Sequence, residues 1–394
     1  MDLSLQKLAI AFIVFALLPC ALQAAVLPEE RSDAMYHRYE GGGMVIDGPS
    51  VLVRKNFADK VSVAANYYVD NVSSASIDVV TIKGASKYSE KRKEKSGDIT
   101  YIEDDIVFNV GITDSSENDY DARSYRFDMN HTFFGDMTTV NAGFSLGDDE
   151  ITSSEDDSLF ETMNRRQYRI GVAQVLTKNI LLNFNYESVI DEGYLQNPYR
   201  KILVTTLDKP PEGQHPPAPG LYTREPERYP NTRNSDALSL KLAYHLPWDG
   251  AFKTRLGYFT DSWGIDAYSV QFDYSHKLSD NLALDFRLRH YQQGDADFYA
   301  NLFYNDTVTQ NFAARDKELS EYSSQSVGVG ASYETELNGF FDRFRLNLQY
   351  DYMYFDYDNF REVTPETEGL NGVDNEPLYS FDAYTLRLFF TIFY

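Results

Sequence analysis

Charged side chains recur at every second position in several short segments of the chain. Lys253 and Arg255 alternate with apolar neighbours, and Arg287 and Arg289 do the same in a later segment. A period of two indicates a β-strand, because successive strand residues point to opposite faces. One face of these strands is therefore predicted to be charged and the other apolar, which is a suitable wall for binding or passing ions.

If such strands close into a barrel, their charged faces line its interior. The predicted inward-facing charges are Arg126, Asp128, Arg169, Glu187, Lys241, Lys253, Arg255, Asp273, Asp285, Arg287, Arg289, Arg345, Asp351 and Arg387. Both signs occur, and basic residues are slightly more numerous. Two interpretations stay open. The charges either pair with one another and fill the interior, or they form a passage that weakly attracts anions.

Known catalytic and metal-binding motifs are not recognisable in the sequence. The six histidines lack the H-E-x-x-H spacing of a zinc site, and no G-x-S-x-G motif marks a nucleophile. Cys20 is the only cysteine and lies in a predicted signal peptide, so we expect no disulfide, iron–sulfur cluster or c-type haem in the mature chain. We predict no enzymatic activity, no metal and no cofactor.

Strand-like segments of this kind follow one another to the C-terminus. They account for about 14–16 strands. Termini on one side of a membrane require an even number, and we favour sixteen. The first two are predicted near 35–45 and 50–56, after an irregular lead-in at 26–40, and a hairpin is predicted at 98–112. Short turns at 57–60, 135–136, 177–179, 248–250 and 279–281 alternate with mostly longer connections such as 191–234 and 292–322.

The pattern is typical of outer-membrane proteins, which have short periplasmic turns and longer external loops. The last segment, Asp382 to Tyr394, keeps apolar residues on one face and ends on an aromatic residue. It resembles the terminal strand that the barrel-assembly machinery reads, so Tyr394 is predicted to be part of an assembly signal. A soluble sandwich or propeller would need an apolar core, whereas nearly every strand here is charged on one face.

Composition and the N-terminus agree with this class. Lys7 precedes an apolar run at 8–18, too short to span a membrane, which predicts a signal peptide at 1–24 and a single mature domain at 25–394. Aromatic residues make up 15% of the chain, as expected if they form girdles at two membrane interfaces. The formal net charge of -24 disfavours nucleic acid as a partner. We therefore predict an all-β, antiparallel transmembrane barrel surrounded by outer-membrane lipid.

Residues 41–121 depart from the simple alternation and carry a family resemblance. The strings are GGG at 41–43, GPSVLVRK at 48–55, SVAANYYVD at 62–70, SSASIDVV at 73–80, YSEKR at 88–92 and SENDY at 116–120. In this order they resemble the bacterial family called domain of unknown function 3570, and the similarity extends over nearly the whole mature chain. The resemblance implies an outer-membrane protein encoded near lipoproteins, thioredoxin-like proteins and flavin-transferring enzymes. It therefore also implies a lipoprotein or periplasmic redox protein as a partner.

Residues 71–96 combine small residues with a basic cluster made of Lys87, Lys91, Arg92, Lys93 and Lys95. They are predicted to be either an external loop or an insert that narrows the lumen. Two functions follow from the sequence. The first is the passage or export of a small solute, and the alternative is a structural anchor for periplasmic or lipoprotein components of a redox or flavin-linked maturation module.

Overall fold

Sixteen antiparallel β-strands form a closed barrel in the computed structural model, which describes residues 26–74, 88–209, 222–304, 310–363 and 376–394. The predicted fold class and the favoured number of strands are confirmed. Each barrel strand pairs with the next barrel strand along the chain, and the first pairs with the last to close the barrel. Among the described residues, no helix is both long and apolar enough to cross a membrane.

The barrel strands are β1 (Arg31–Gly41), β2 (Met44–Phe57), β3 (Val61–Ser74), β4 (Tyr88–Glu103), β5 (Ile106–Ser116), β6 (Tyr120–Phe133), β7 (Thr138–Thr152), β8 (Phe160–Thr177), β9 (Ile180–Gly193), β12 (Thr232–Leu246), β13 (Gly250–Asp261), β14 (Asp266–Lys277), β15 (Leu282–Gln293), β16 (Tyr322–Glu336), β17 (Arg343–Arg361) and β18 (Leu378–Phe393). Two short strands, β10 (Lys201–Val204) and β11 (Thr223–Pro226), form a separate sheet. A short 3-10 helix spans Lys317–Leu319.

The two ends of the barrel differ in their connections. The N-terminus of β1 and the C-terminus of β18 meet at one end, where the register pairs Arg31 with Phe393. We call this the terminal end, and the opposite one the loop end. Several turns at the terminal end use aspartate at positive φ, including Asp104 at 51° and Asp136 at 65°, a conformation that aspartate tolerates better than most residues. Since short turns lie in the periplasm, the loop end faces outward.

Two predictions in the first hundred residues need correction. The lead-in at 26–40 is wrong from Arg31 onward, because β1 begins there and Gly42 and Gly43, both at positive φ, make the turn to β2. The predicted insert at 71–96 is wrong at both edges, because 71–74 pair with 88–91, and 92–96 pair with 66–70, as strands of the barrel wall. Its central part, 75–87, lies outside the described residues. The predicted hairpin at 98–112 is confirmed within β4 and β5.

The outer face of the barrel carries an apolar band. On β12, for example, the apolar outward residues lie between Asp236 and Leu246, ten steps apart. Ten steps of about 3.4 Å, tilted by about 40°, give a height of roughly 26 Å. This matches the apolar band of about 25 Å expected of an outer-membrane barrel.

A belt of tyrosines bonded to carboxylates marks the edge of this band at the loop end. On the outer face, each hydroxyl donates to a carboxylate near the end of a strand. The pairs are Tyr36 with Asp47 at 2.7 Å, Tyr186 with Asp236 at 2.6 Å, Tyr258 with Asp266 at 2.9 Å, Tyr352 with Asp382, and Tyr384 with Glu40. Tyrosine places its ring in the apolar phase and its hydroxyl in the wet one. The belt therefore marks the level of the outer headgroups.

Two long connections pack together over the loop end. We call segments 194–209 and 222–231, after β9, and 294–304 and 310–321, after β15, the cap. Its core includes the buried Phe298, Ala314 and Leu319, which pack with Trp263 from the connection between β13 and β14. It also rests on Phe259, near the loop end of β13. A packed assembly of loops therefore lies at this mouth of the barrel.

A buried carboxylate joins the two halves of the cap. Glu227 is 2% exposed and accepts hydrogen bonds from the Arg315 backbone amide and the Tyr229 hydroxyl, both at 2.7 Å. Burial raises the pKa of the Glu227 carboxyl above its ordinary value of 4.5, while these hydrogen bonds act in the opposite direction. The carboxyl thus holds its proton more tightly in the closed cap than in an opened one.

This linkage predicts that the cap is weakened as the pH rises. The raised pKa contributes stability that is fully present below 4.5 and is lost as the pH rises through the value in the closed cap. Hydrogen-exchange protection of the Arg315 amide, corrected for the intrinsic pH dependence of exchange, should therefore fall over this interval. Glu227→Gln should remove the pH dependence, whereas Glu318→Gln, at a carboxylate whose side chain is 71% exposed, should leave it unchanged. An equal slope in all three proteins would contradict the prediction.

Candidate functional site

A polar cavity of about 540 Å³ lies against the inner face of the wall from β12 to β18. Six cationic side chains and three carboxylates line it, a formal surplus of three positive charges in a chain whose net charge is -24. The charged lining residues are Lys241, Lys253, Arg255, Asp273, Asp285, Arg287, Arg289, Asp351 and Arg387. Strand alternation places them inside, because their neighbours along each strand form the apolar outer band.

Part of this lining is an internally paired network. Arg287 donates from Nε to Asp273 at 3.1 Å and from Nη1 to Asp351 at 2.9 Å. The other Asp351 oxygen accepts from Arg387 at 2.8 Å, and the Asp351 side chain is only 8% exposed. A bridging carboxylate between two guanidinium groups holds strands β15, β17 and β18 together. This part of the lining is structural filling, which is one of the two interpretations left open by the sequence.

The remaining cations form a separate basic row. Lys241, Arg255 and Arg289 lie in one register across β12 to β15, with Gln271 between the two arginines, and Lys253 lies one inward step away on β13. Among the described residues, no carboxylate lies within 4.0 Å of any of these four cations. Arg289 instead lies 5.6 Å from the Tyr291 ring centroid. The basic row therefore retains charge that an entering anion could compensate.

Of the other predicted residues, Arg126, Asp128 and Arg345 lie outside this cavity. Arg126 and Asp128 are on β6, in the opposite wall, where Arg126 contacts both Asp98 and Asp128. Arg345 lies towards the terminal end and pairs with Glu334 at 2.5 Å. Asp285 lines the cavity and accepts a hydrogen bond from Ser275 at 2.5 Å. The predicted charges thus divide into one cavity and two outlying groups.

Tyr394, the predicted assembly signal, follows the last strand at the terminal end. Its hydroxyl donates to the backbone carbonyl of Arg54 at 3.0 Å, and the Lys55 ammonium lies 5.1 Å from its ring centroid. These contacts reach β2, two strands away, across the seam between β1 and β18. Its role in assembly stays a prediction.

Glycines on the middle of three strands allow arginine and aspartate on the flanking strands to meet. The arrangement occurs three times, as Asp98–Gly111–Arg126, Asp128–Gly143–Arg169 and Arg287–Gly328–Asp351. A Cβ added at Gly143 would lie 2.3 Å from an Asp128 oxygen, and one at Gly328 would lie 2.1 Å from an Asp351 oxygen. Sequence alternation does not identify these glycines, because a residue without a side chain carries no facial signal.

Gly328→Ala is expected to destabilise the barrel by displacing the Asp351 carboxylate from Arg287. Breaking a largely buried ion pair costs about 3 kcal/mol, and about half of that here because the arginine is partly exposed. The folded form, measured by the mobility of unboiled protein in gel electrophoresis, should therefore be lost at a lower temperature. Gly330→Ala is the matched control on the same strand and face, since its added Cβ would lie 3.4 Å from its nearest neighbour. Equal melting of both variants would refute the explanation.

A second inward cluster lies near the loop ends of β1 and β3. The His37 Nε2 atom is 2.8 Å from an Asp70 oxygen, and the Tyr68 hydroxyl is 3.3 Å from the same nitrogen. The His37 and Asp70 side chains are 14% and 12% exposed. The pair joins two strands across Gly48, where an added Cβ would lie 1.8 Å from the Val69 carbonyl oxygen. Within the part of the chain that the structure describes, no three His, Cys, Asp or Glu side chains are arranged to hold a metal ion.

Residues 8–359 match a family model described as "Protein of unknown function (DUF3570)". No curated protein matches the sequence significantly. Among solved structures, a bacterial polysaccharide outer membrane secretin is 8% identical with a TM-score of 0.49, and the match covers 93% of this chain and 100% of the secretin chain. The outer membrane protein OpdK of Pseudomonas aeruginosa is 10% identical with a TM-score of 0.41, covering 92% and 98%.

The siderophore receptor PirA of Pseudomonas aeruginosa is 10% identical with a TM-score of 0.43 over 84% of this chain, which spans only 57% of the receptor. The closed barrel and its apolar outer band are those of an outer-membrane protein. The predicted location in the outer membrane is confirmed.

Proposed function

We propose that the barrel passes small anionic solutes across the outer membrane. The chain belongs to the DUF3570 family, whose description names no activity, so the proposal is argued from the geometry of the barrel. The observation that carries this proposal is the basic row inside the cavity. Lys241, Arg255 and Arg289 remain without a carboxylate partner among the described residues, although the chain as a whole is strongly acidic. A passage lined by rings or rows of cations favours anions.

The neighbouring paired network supports the same function in a different way. Arg287, Asp351 and Arg387 neutralise most of one another's charge and hold their side chains against the wall. They leave the unpaired cations at a fixed position, so that an anion meets preorganised positive charge and little side-chain order has to be created when it binds.

The cap supports a restricted passage rather than a wide one. Its core packs on Phe259, which lies on β13 on the loop side of Arg255 and Lys253. A solute that moves between the cavity and the outside therefore encounters the cap. We infer that only small solutes pass while the cap is closed, or that the cap opens during passage.

Conductance across planar bilayers tests the proposal. Purified barrel should carry a current whose reversal potential in a salt gradient indicates preference for the anion. A second protein, in which 195–230 and 295–320 are replaced by short glycine–serine linkers, should conduct more strongly with the same preference. The proposal would be overturned if neither protein carried a current, or if both preferred cations. Two silent barrels that co-purify with a lipoprotein would favour the anchoring function instead.

A further inference from the structure

Three lysines form a row on the outer wall of the barrel. Lys91, Lys93 and Lys95 are exposed on β4, on the same face as Ile99 and Tyr101 of the apolar band. Alternate residues on a strand are about 7 Å apart, so the row spans roughly 14 Å. We call it the β4 lysine row. Its position in a wall strand corrects both alternatives predicted for these lysines, an external loop and an insert that narrows the lumen.

The β4 lysine row is not neutralised by the protein that surrounds it. Across 26–74, 88–209 and the other described ranges, none of its three ammonium groups lies within 4.0 Å of a carboxylate. The carboxylate opposite Lys95 is Asp114, which is bound by Arg123 at 2.9 Å and so adds no free negative charge. Other outward cations are paired, such as Arg166 with Glu192 at 2.9 Å.

The level of the β4 lysine row is that of the outer headgroups. Lys93 lies ten residues from the end of β4 at Glu103, just as Asp236 of the tyrosine–carboxylate belt lies ten residues from the end of β12 at Leu246. Both counts start from the terminal end of the barrel. The ammonium groups therefore lie where the apolar band ends and where charged groups of lipids are found.

A shallow depression lies directly below the row. Gly97 faces outward between Ala65 on β3 and Ile112 on β5, so that a residue without a side chain lies beside a small one on the lipid-facing wall. A Cβ added at Gly97 would meet only the Ala64 carbonyl oxygen, at 4.0 Å, so little of the protein fills the space over this residue. An acyl chain can pack into such a depression while its headgroup lies against the lysines above.

We propose that the β4 lysine row and the depression at Gly97 bind a phosphorylated glycolipid of the outer leaflet. The phosphates contact the lysines, and one acyl chain lies over Gly97 and Ile99. Several cations in a row match a lipid that carries more than one phosphate, and each lysine near an anionic surface strengthens binding. The site lies on the outer wall, so it does not depend on what passes through the lumen.

Native mass spectrometry of the full barrel in detergent tests this site. Phosphorylated glycolipid from an outer membrane, the same glycolipid after enzymatic removal of its phosphates, and inorganic phosphate are titrated separately. Wild-type protein should bind the phosphorylated glycolipid at least tenfold more tightly than the dephosphorylated form. The triple variant Lys91→Gln, Lys93→Gln, Lys95→Gln should lose this preference.

Arg166→Gln is the matched control, because it removes an outward cation at the same rim that is already paired with Glu192. It should bind the glycolipid as the wild type does, and all three proteins should show the same heat-modified mobility. Equal binding by the triple variant and the wild type would overturn the proposal. So would equal binding of the two glycolipids, or binding of inorganic phosphate alone.

Discussion

We expect truncation after Ser380 to abolish the folded barrel. β18 is hydrogen-bonded on both sides, to β17 and to β1, and its register with β1 runs without interruption from Phe393 to Ala383. Its removal leaves two strand edges facing lipid, where no water can satisfy their backbone groups. Each unsatisfied group costs several kcal/mol in the bilayer, so the loss over a whole strand exceeds the stability of any ordinary domain.

Tyr394→Ala should have a smaller effect of the same kind. It removes the hydrogen bond to the Arg54 carbonyl and the contact with Lys55, but it leaves the ladder between β18 and β1 intact. The loss of a few such contacts costs about 1–2 kcal/mol. We therefore expect reduced amounts of folded barrel for Tyr394→Ala and none for the truncated chain.

Membrane levels and heat-modifiable mobility measure both effects. The control replaces 295–320 of the cap by a short linker, a larger deletion that leaves every barrel strand paired, and it should assemble. Normal membrane levels of the chain truncated at Ser380 would contradict the expectation. Loss of assembly in the cap-deleted control would show that the assay reports deletion in general.

The barrel itself was predictable because its signal is local. Alternation along a strand decides which side chains meet lipid, and this needs no knowledge of the partner strand. The exception is β1, whose polar sequence looks irregular on its own. It pairs with β18, where Arg31 is opposite Phe393, 362 positions further along the chain. No local sequence pattern predicts such a distant pairing.

The cap was not predictable for the same reason. The connections at 191–234 and 292–322 have no period, and their contacts join distant residues, such as the Arg315 amide and Glu227, 88 positions apart. Their buried residues pack loop against loop. Only the register of the strands, which brings the two connections to one mouth, decides that they meet.

The division of the lumen charges also depends on register. Arg287 and Arg289 are two residues apart on one face of β15, and the sequence treats them alike. Arg287 reaches Asp351 across Gly328, 64 positions away, whereas Arg289 is level with Ser326 and Gln271 and meets no carboxylate among the described residues. The neighbouring strands thus hold Arg287 in an ion pair and leave Arg289 without a carboxylate partner among the described residues.

The double variant Lys241→Glu, Arg255→Glu should reverse the ion preference of the pore. The two residues face each other directly across β12 and β13 in the basic row. Their replacement changes the cavity lining from six cations and three carboxylates to four cations and five carboxylates, and hence its formal charge from +3 to -1. A unit charge about 6 Å from a hydrated ion contributes about 0.7 kcal/mol, which is roughly a threefold change in local concentration.

The ratio of anion to cation permeability should therefore fall at least tenfold, because each reversed charge acts on both ions in opposite directions. Reversal potentials in a potassium chloride gradient measure this ratio. The effect should be larger at 0.01 M than at 1 M salt, since the screening length falls from about 30 Å to about 3 Å. The protein without the cap segments gives the clearest currents for the comparison.

Arg345→Gln is the control for this experiment, because it removes a positive charge that is paired with Glu334 outside the cavity. It should leave the preference unchanged. Arg287→Gln should instead lower the temperature at which the barrel unfolds, because it leaves Asp273 and Asp351 without their shared cation. If the double variant conducts with the wild-type preference, the basic row is part of the structural filling and does not select the solute.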